Sequence, residues 1–69
     1  MDWKKHGRTE FVAQVDTRFS LVAAIMPDGR WTWKIKATGA LAPMATGIVS
    51  TPGAAKHAME NFLKKKLYI

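Results

Sequence analysis

Between residues 19 and 37 apolar and polar side chains alternate on both sides of Pro27-Asp28-Gly29. A period of two is the period of a strand, whose successive side chains point to opposite faces. Proline presets φ at the first turn position, aspartate suits the next and glycine accepts φ > 0. Such a three-residue connection is a type I turn closed by a glycine bulge. Pairing Met26 with Arg30 then sets Ile25 against Trp31, Ala23 against Trp33, Leu21 against Ile35 and Phe19 against Ala37. All of these pairs are apolar and share one face. The other face pairs Ala24 with Thr32, Val22 with Lys34 and Ser20 with Lys36. A slip of one residue would carry both tryptophans to the polar side, so the pattern specifies its own register.

The same alternation predicts a strand over residues 9–15, with Phe11, Ala13 and Val15 on one side and Glu10, Val12 and Gln14 on the other. Asp16-Thr17-Arg18 is a tight link to the hairpin. Residues 38–45 are small and broken by Gly39 and Pro43, which predicts a loop anchored by Leu41 and Met44. Residues 46–50 read as a short fourth strand suited to a sheet edge, its facing left open because Gly47 interrupts the alternation.

Thr51 precedes Pro52, which biases it toward the extended conformation of a helix N-cap. Proline at the first helical position loses no needed N–H. The predicted helix runs to about Lys66, with Ala55, Ala58, Met59, Phe62 and Leu63 forming an apolar stripe. Lys56, Glu60 and Lys64 are expected on its outer face at i, i+4 spacing, and Lys64-Lys65-Lys66 complements the negative end of the dipole. Whether Leu67-Tyr68-Ile69 returns to the sheet edge is left open.

The chain is therefore expected to be α+β. A small antiparallel sheet of three or four strands, in the order β-β-β-β-α, carries one C-terminal helix on its apolar face. Trp31, Trp33, Ile35, Leu21 and Ile25 are expected to meet Met59, Phe62 and Leu63 there. Residues 1–8 read as a short basic arm that frays, with Trp3 as its one anchor, and residues 9–69 as a single compact domain. One helix covers one face, so the other is solvated or taken by a partner. Arg30, Lys34 and Lys36 are expected in a row on that face, beside Val22, Ala24 and Met26.

Composition changes this picture in two ways. Eleven Lys and Arg against five Asp and Glu give a net charge of +6 over 69 residues, which draws a small domain toward phosphate backbones or acidic surfaces. The absence of cysteine removes disulfides and thiolate metal sites and fits a reducing cytoplasm. No apolar run approaches the ~20 residues of a membrane span, and no apolar segment follows the basic N-terminus as in a signal peptide. The expectation is a cytoplasmic protein with no membrane partner.

Catalytic chemistry finds little material. His6 and His57 have no acidic or imidazole partner at helical spacing, and the five acids are scattered, Asp28 being explained by the turn. Ser20 and Ser50 lie in strand-like contexts without a nucleophile elbow, and no phosphate-loop fingerprint is present. No enzymatic activity, metal or cofactor is expected. Trp31-Thr32-Trp33 suggests a base-stacking platform, but the hairpin register turns both rings toward the helix and into the core.

Gly29-Arg30-Trp31-Thr32-Trp33-Lys34-Ile35, a short strand, and Thr51-Pro52-Gly53-Ala54-Ala55-Lys56 opening a helix resemble the AP2-type and phage-integrase arm-binding domains. Those families lay a three-stranded sheet on DNA with one helix packed behind it. The resemblance covers residues 19–66 and implies that Arg30, Lys34 and Lys36 face DNA; the additional first strand, Val22 and Met26 depart from that pattern. The outline also resembles small bacteriophage and prophage proteins, some of which inhibit host proteins. The functional expectation is a small nucleic-acid-binding module that binds through Arg30, Lys34 and Lys36 on the sheet face and Lys4, Lys5 and Arg8 in the arm, mainly by phosphate contacts. The alternative is a protein-interaction module using Val22, Ala24 and Met26 or a sheet edge, with an acidic host protein or a second copy of the chain as partner.

Overall fold

The computed structural model describes residues 3–66. Five antiparallel strands run in the order β1 (Trp3–His6), β2 (Glu10–Val15), β3 (Phe19–Ile25), β4 (Trp31–Ala37) and β5 (Ala45–Val49), and each pairs with the next. Helix α1 (Pro52–Lys65) follows and packs across β3, β4 and β5. The fold is α+β as expected, with one strand more than the three or four anticipated.

The additional strand lies within the segment read as a frayed arm. Trp3 pairs with Ala13 and Lys5 with Phe11, and Gly7, at φ 67, carries the chain through the turn. Trp3 is what ties the strand down. Its indole packs against the core, and the Lys56 ammonium lies 5.6 Å from its ring centroid. Trp3 gives the polar terminus an apolar anchor, and the pairing with β2 gives its backbone partners.

The β3–β4 hairpin has the expected register at every pair, from Phe19 with Ala37 to Ile25 with Trp31. Met26 N–H donates to the Arg30 carbonyl at 2.6 Å, and Gly29 N–H donates to the Met26 carbonyl at 2.9 Å with Gly29 at φ 90. Asp16 at φ 43 makes the β2–β3 turn, accepting the Arg18 backbone N–H at 2.8 Å. That turn registers Phe11 with Ala23, Ala13 with Leu21 and Val15 with Phe19, so the apolar faces of β2 and β3 coincide.

The core lies between this face and the helix. Leu21, Ala23, Ile35, Ala55, Met59 and Leu63 are fully enclosed, with Ala13, Phe19 and Trp31 nearly so. Thr51, at φ −138 and ψ 154, caps the helix by accepting the Ala54 N–H at 3.1 Å, and Pro52 opens it. Gly47 explains the broken alternation of β5. It pairs with Trp33, and a Cβ built on it would fall 2.5 Å from Trp33 Nε1, so the indole lies across the strand where a side chain would otherwise stand.

Three expectations are corrected. Ile25 does not join the core but stays 39% exposed, because it is the last residue of β3, at the turn end of the hairpin. Leu41 does not anchor the β4–β5 loop, being fully exposed, and Met44 is 39% exposed. The loop is held by its backbone and a hydroxyl: Thr38 N–H donates to Arg18 C=O at 2.8 Å, and Thr38 Oγ1 donates to Thr17 C=O at 2.7 Å. Lys56 does not sit on the outer face of the helix. It is half-buried, its ammonium 4.0 Å from the Phe11 ring centroid, closing over the β1–β2 end that the helix does not reach. Leu67-Tyr68-Ile69 falls outside the described residues. No helix among the described residues is long and apolar enough to cross a membrane.

Candidate functional site

The face of the sheet opposite the helix is built by the other parity of each strand. Register places Lys4, Val12, Val22, Lys34 and Thr46 in one row across all five strands. The next row toward the β3–β4 turn is His6, Glu10, Ala24, Thr32 and Ile48, and toward the opposite end lie Gln14, Ser20 and Lys36. Lys4 and Lys34 are three strand spacings apart, about 14 Å. Between them Val12 and Val22 are half-buried, while Lys4, Lys34 and Lys36 are exposed.

Two shallow grooves run over this surface. One is lined by Lys4, Val12, Gln14, Ser20 and Val22, with Ser20 Oγ donating to Gln14 Oε1 at 3.2 Å on its floor. The other lies between Ser20, Val22, Lys34 and Lys36 and the loop residues Leu41 and Pro43. Apolar ground is therefore flanked by ammonium groups on both sides. Among the described residues, the carboxylate of the face is Glu10, which sits in the neighbouring row beside His6.

The sequence-proposed cations separate into two groups. Lys4, Lys34 and Lys36 come together on the open face. Lys5 points to the opposite side, in the row of Phe11, and Arg8 stands in the β1–β2 turn. Arg30 is not part of the strand row expected for it. It precedes β4 in the hairpin turn, where the Asp28 carboxylate takes its guanidinium at 2.7 Å and its backbone N–H at 3.1 Å. Those bonds, the backbone one foremost, hold the Asp28 carboxyl below the usual carboxylate range. The Arg18 backbone N–H does the same for Asp16 in the other turn. An aspartate two residues before an arginine in a tight turn is the sequence signal for this sequestration, and it applies to both turns.

Of the apolar patch, Val22 and Ala24 are on the open face, while Met26 lies beyond the end of β3 at the turn. Val12 and Ile48 complete the patch, Ile48 being 54% exposed. Val12 was legible from its parity in β2, but Ile48 needed the register of β5. The tryptophans, Phe11 and Phe19 belong to the helix side, by burial or by packing against its core. The described residues contain no group of three or more His, Asp or Glu placed to hold a metal ion. No protein-family model, curated protein or solved structure matches the chain.

Proposed function

We propose that the protein is a non-enzymatic binding module whose open sheet face takes nucleic acid through its phosphates. One observation carries this reading: Lys4, Lys34 and Lys36 converge on an exposed face, around grooves with no carboxylate among the described residues that line them. Lysine ammonium groups on long stems reach phosphates without fixing base identity. The aromatic rings of the described strands face the helix side, so they offer no stacking platform on this face, and a duplex is the favoured form. A net charge of +6 adds long-range attraction to any polyanion.

The test is fluorescence anisotropy with labelled duplex and single-stranded DNA and RNA over a range of salt. Three neutralised phosphates give a slope of log affinity against log salt of about −2.7 on duplex DNA. Reversing Lys34 and Lys36 together to Glu is expected to abolish binding with the circular dichroism spectrum unchanged. Undiminished affinity in the folded double variant sinks the reading.

A second reading rests on the apolar ground between the lysines. Val12, Val22, Ala24 and Ile48 make a surface suited to an acidic protein partner with exposed apolar side chains. Binding to such a partner loses affinity on Val22→Ser and falls gently with salt, whereas phosphate binding tolerates Val22→Ser and falls steeply with salt.

A further inference from the structure

The two edges of the sheet differ in how they are guarded. Strand β1 presents Lys4, Lys5 and His6 along its edge, the charged protection that keeps an exposed strand from pairing. Strand β5 reads Ala45-Thr46-Gly47-Ile48-Val49, without a charge or a proline, in a chain of net charge +6. Its β-branched residues favour pairing, and Ile48 is 54% exposed.

The hydrogen-bonding pattern fixes what this edge offers. Met26 N–H bonds Arg30 C=O across the β3–β4 hairpin, so by alternation the even residues of β4 bond β3 and the odd ones bond β5. The Met44 N–H donating to Ile35 C=O at 2.8 Å and the Thr46 hydroxyl donating to Trp33 C=O at 2.8 Å agree with this assignment. Ala45, Gly47 and Val49 therefore bond back to β4, while the N–H and C=O of Thr46 and Ile48 point outward.

We infer that β5 pairs antiparallel with β5 of a second copy, about a two-fold axis at Gly47, joining two five-stranded sheets into one. On that axis Thr46 of each copy faces Ile48 of the other. Both are outward-bonding residues, so the two pairs exchange all of their free backbone groups. No charged residue lies on either strand, whereas pairing through β1 would bring lysines together. The helices leave room. Packed over β3, β4 and β5, each is centred on β4, and the β4 strands of the two copies lie three spacings apart, about 14 Å, beyond the 8–10 Å of packed helices. Thr46 and Ile48 both belong to the open face, so the two open faces become one surface carrying the lysines of both copies. The pairing stands independently of the ligand assigned to that surface.

Sedimentation equilibrium of the full chain tests it, up to about 1 mM protein, the weak end of specific affinity. The wild type is expected to approach twice the 7.7 kDa of one chain. Ile48→Lys is expected to remain at the single-chain mass with an unchanged circular dichroism spectrum. A wild type that is monomeric throughout overturns the inference, as does a folded Ile48→Lys variant that still doubles its mass. Should that variant not fold, cysteine cross-linking decides, since the chain has no native thiol. Facing residues of a bonded antiparallel pair have Cα atoms ~5.5 Å apart, within disulfide reach. A mixture of Thr46→Cys and Ile48→Cys proteins is expected to yield the mixed disulfide on oxidation, and Lys4→Cys protein none. Equal cross-linking of Lys4→Cys overturns the pairing.

Discussion

On β3 and β4, neighbouring residues live in opposite worlds. Leu21 and Ile35 are paired and fully enclosed under Met59 and Leu63; one step along each strand, Val22 and Lys34 are paired on the open face, the first half-buried and the second exposed. Backbone, register and twist are shared, so the difference between the two faces comes from side chains and from the single helix laid over one of them. The helix side is fixed by shape, where each methyl has a neighbour to lose. The open side is fixed by charge and keeps its apolar residues only half-covered. A sheet of this kind separates stability from recognition by parity alone, and substitutions on adjacent residues are expected to act on different properties.

The largest contrast is between Leu21→Ala and Val22→Thr. The first opens a cavity in the enclosed layer and is expected to cost about 2–5 kcal/mol; the second keeps the β-branch on an open face and is expected to cost about 0.5 kcal/mol or less. Urea denaturation of both variants checks this, and equal losses would erase the distinction between the faces. Next comes Gly47→Val, which drives a side chain into the Trp33 indole. Overpacking of this kind costs about 1–3 kcal/mol, and tryptophan fluorescence should shift as the ring is displaced. Ile48→Val, one residue on and facing outward, should leave both quantities where they are.

Lys56 blurs the comparison, because it is a cation on the apolar side. Lys56→Ala removes its ammonium from above Phe11 and Trp3 and is expected to cost about 0.5–1 kcal/mol. Lys56→Met keeps the stem, so the difference between the two in denaturation isolates the charge. The smallest effect belongs to the turns. Asp28 titrates below its unfolded value of 3.8, so the stability it contributes is fully present at neutral pH. That contribution begins to fall as the pH drops past 3.8 and is gone once the pH passes below the lowered folded value. The gap in Tm between the wild type and Asp28→Asn is expected to be small, flat from neutral pH down to that window, and closed beneath it. A gap that persists at the acid end would assign the effect to turn geometry instead of charge.

The central hairpin was readable because its information is local. Pro27, Asp28 and Gly29 set the turn, and the turn together with strict alternation leaves one register that turns both tryptophans to the helix side. The helix start was equally local, resting on Thr51 and Pro52. Beyond these the reading weakened wherever the answer depended on a distant residue. Trp3 anchors β1 beside Ala13 and Lys56, which lie far from it in the chain. Lys56 looks solvent-facing on a helical wheel until two aromatic rings are brought under it.

The candidate site divides in the same way. Lys34 and Lys36 were legible from parity within one strand. Arg30 shares that parity, but its partner Asp28 is two residues away across a turn, and only the folded turn brings the guanidinium to the carboxylate. Lys4 and Lys5 are adjacent in a segment with no apolar alternation, and only the pairing of β1 with β2 decides that the first faces the site and the second does not. Ile48 joined the open face once β5 was registered against β4, which Gly47 permits by giving its place to the Trp33 ring.

What the sequence by itself determined, then, is the two-faced hairpin, the capped helix and the excess of positive charge. These follow from residues close in the chain or from simple counts, where a contact costs little chain entropy to form. What only the tertiary structure decided is the number of strands, which lysines share a face, and which edge is left without charge. Each of those depends on contacts that exist only after the chain has closed on itself, when burial of a few side chains fixes the orientation of all their neighbours.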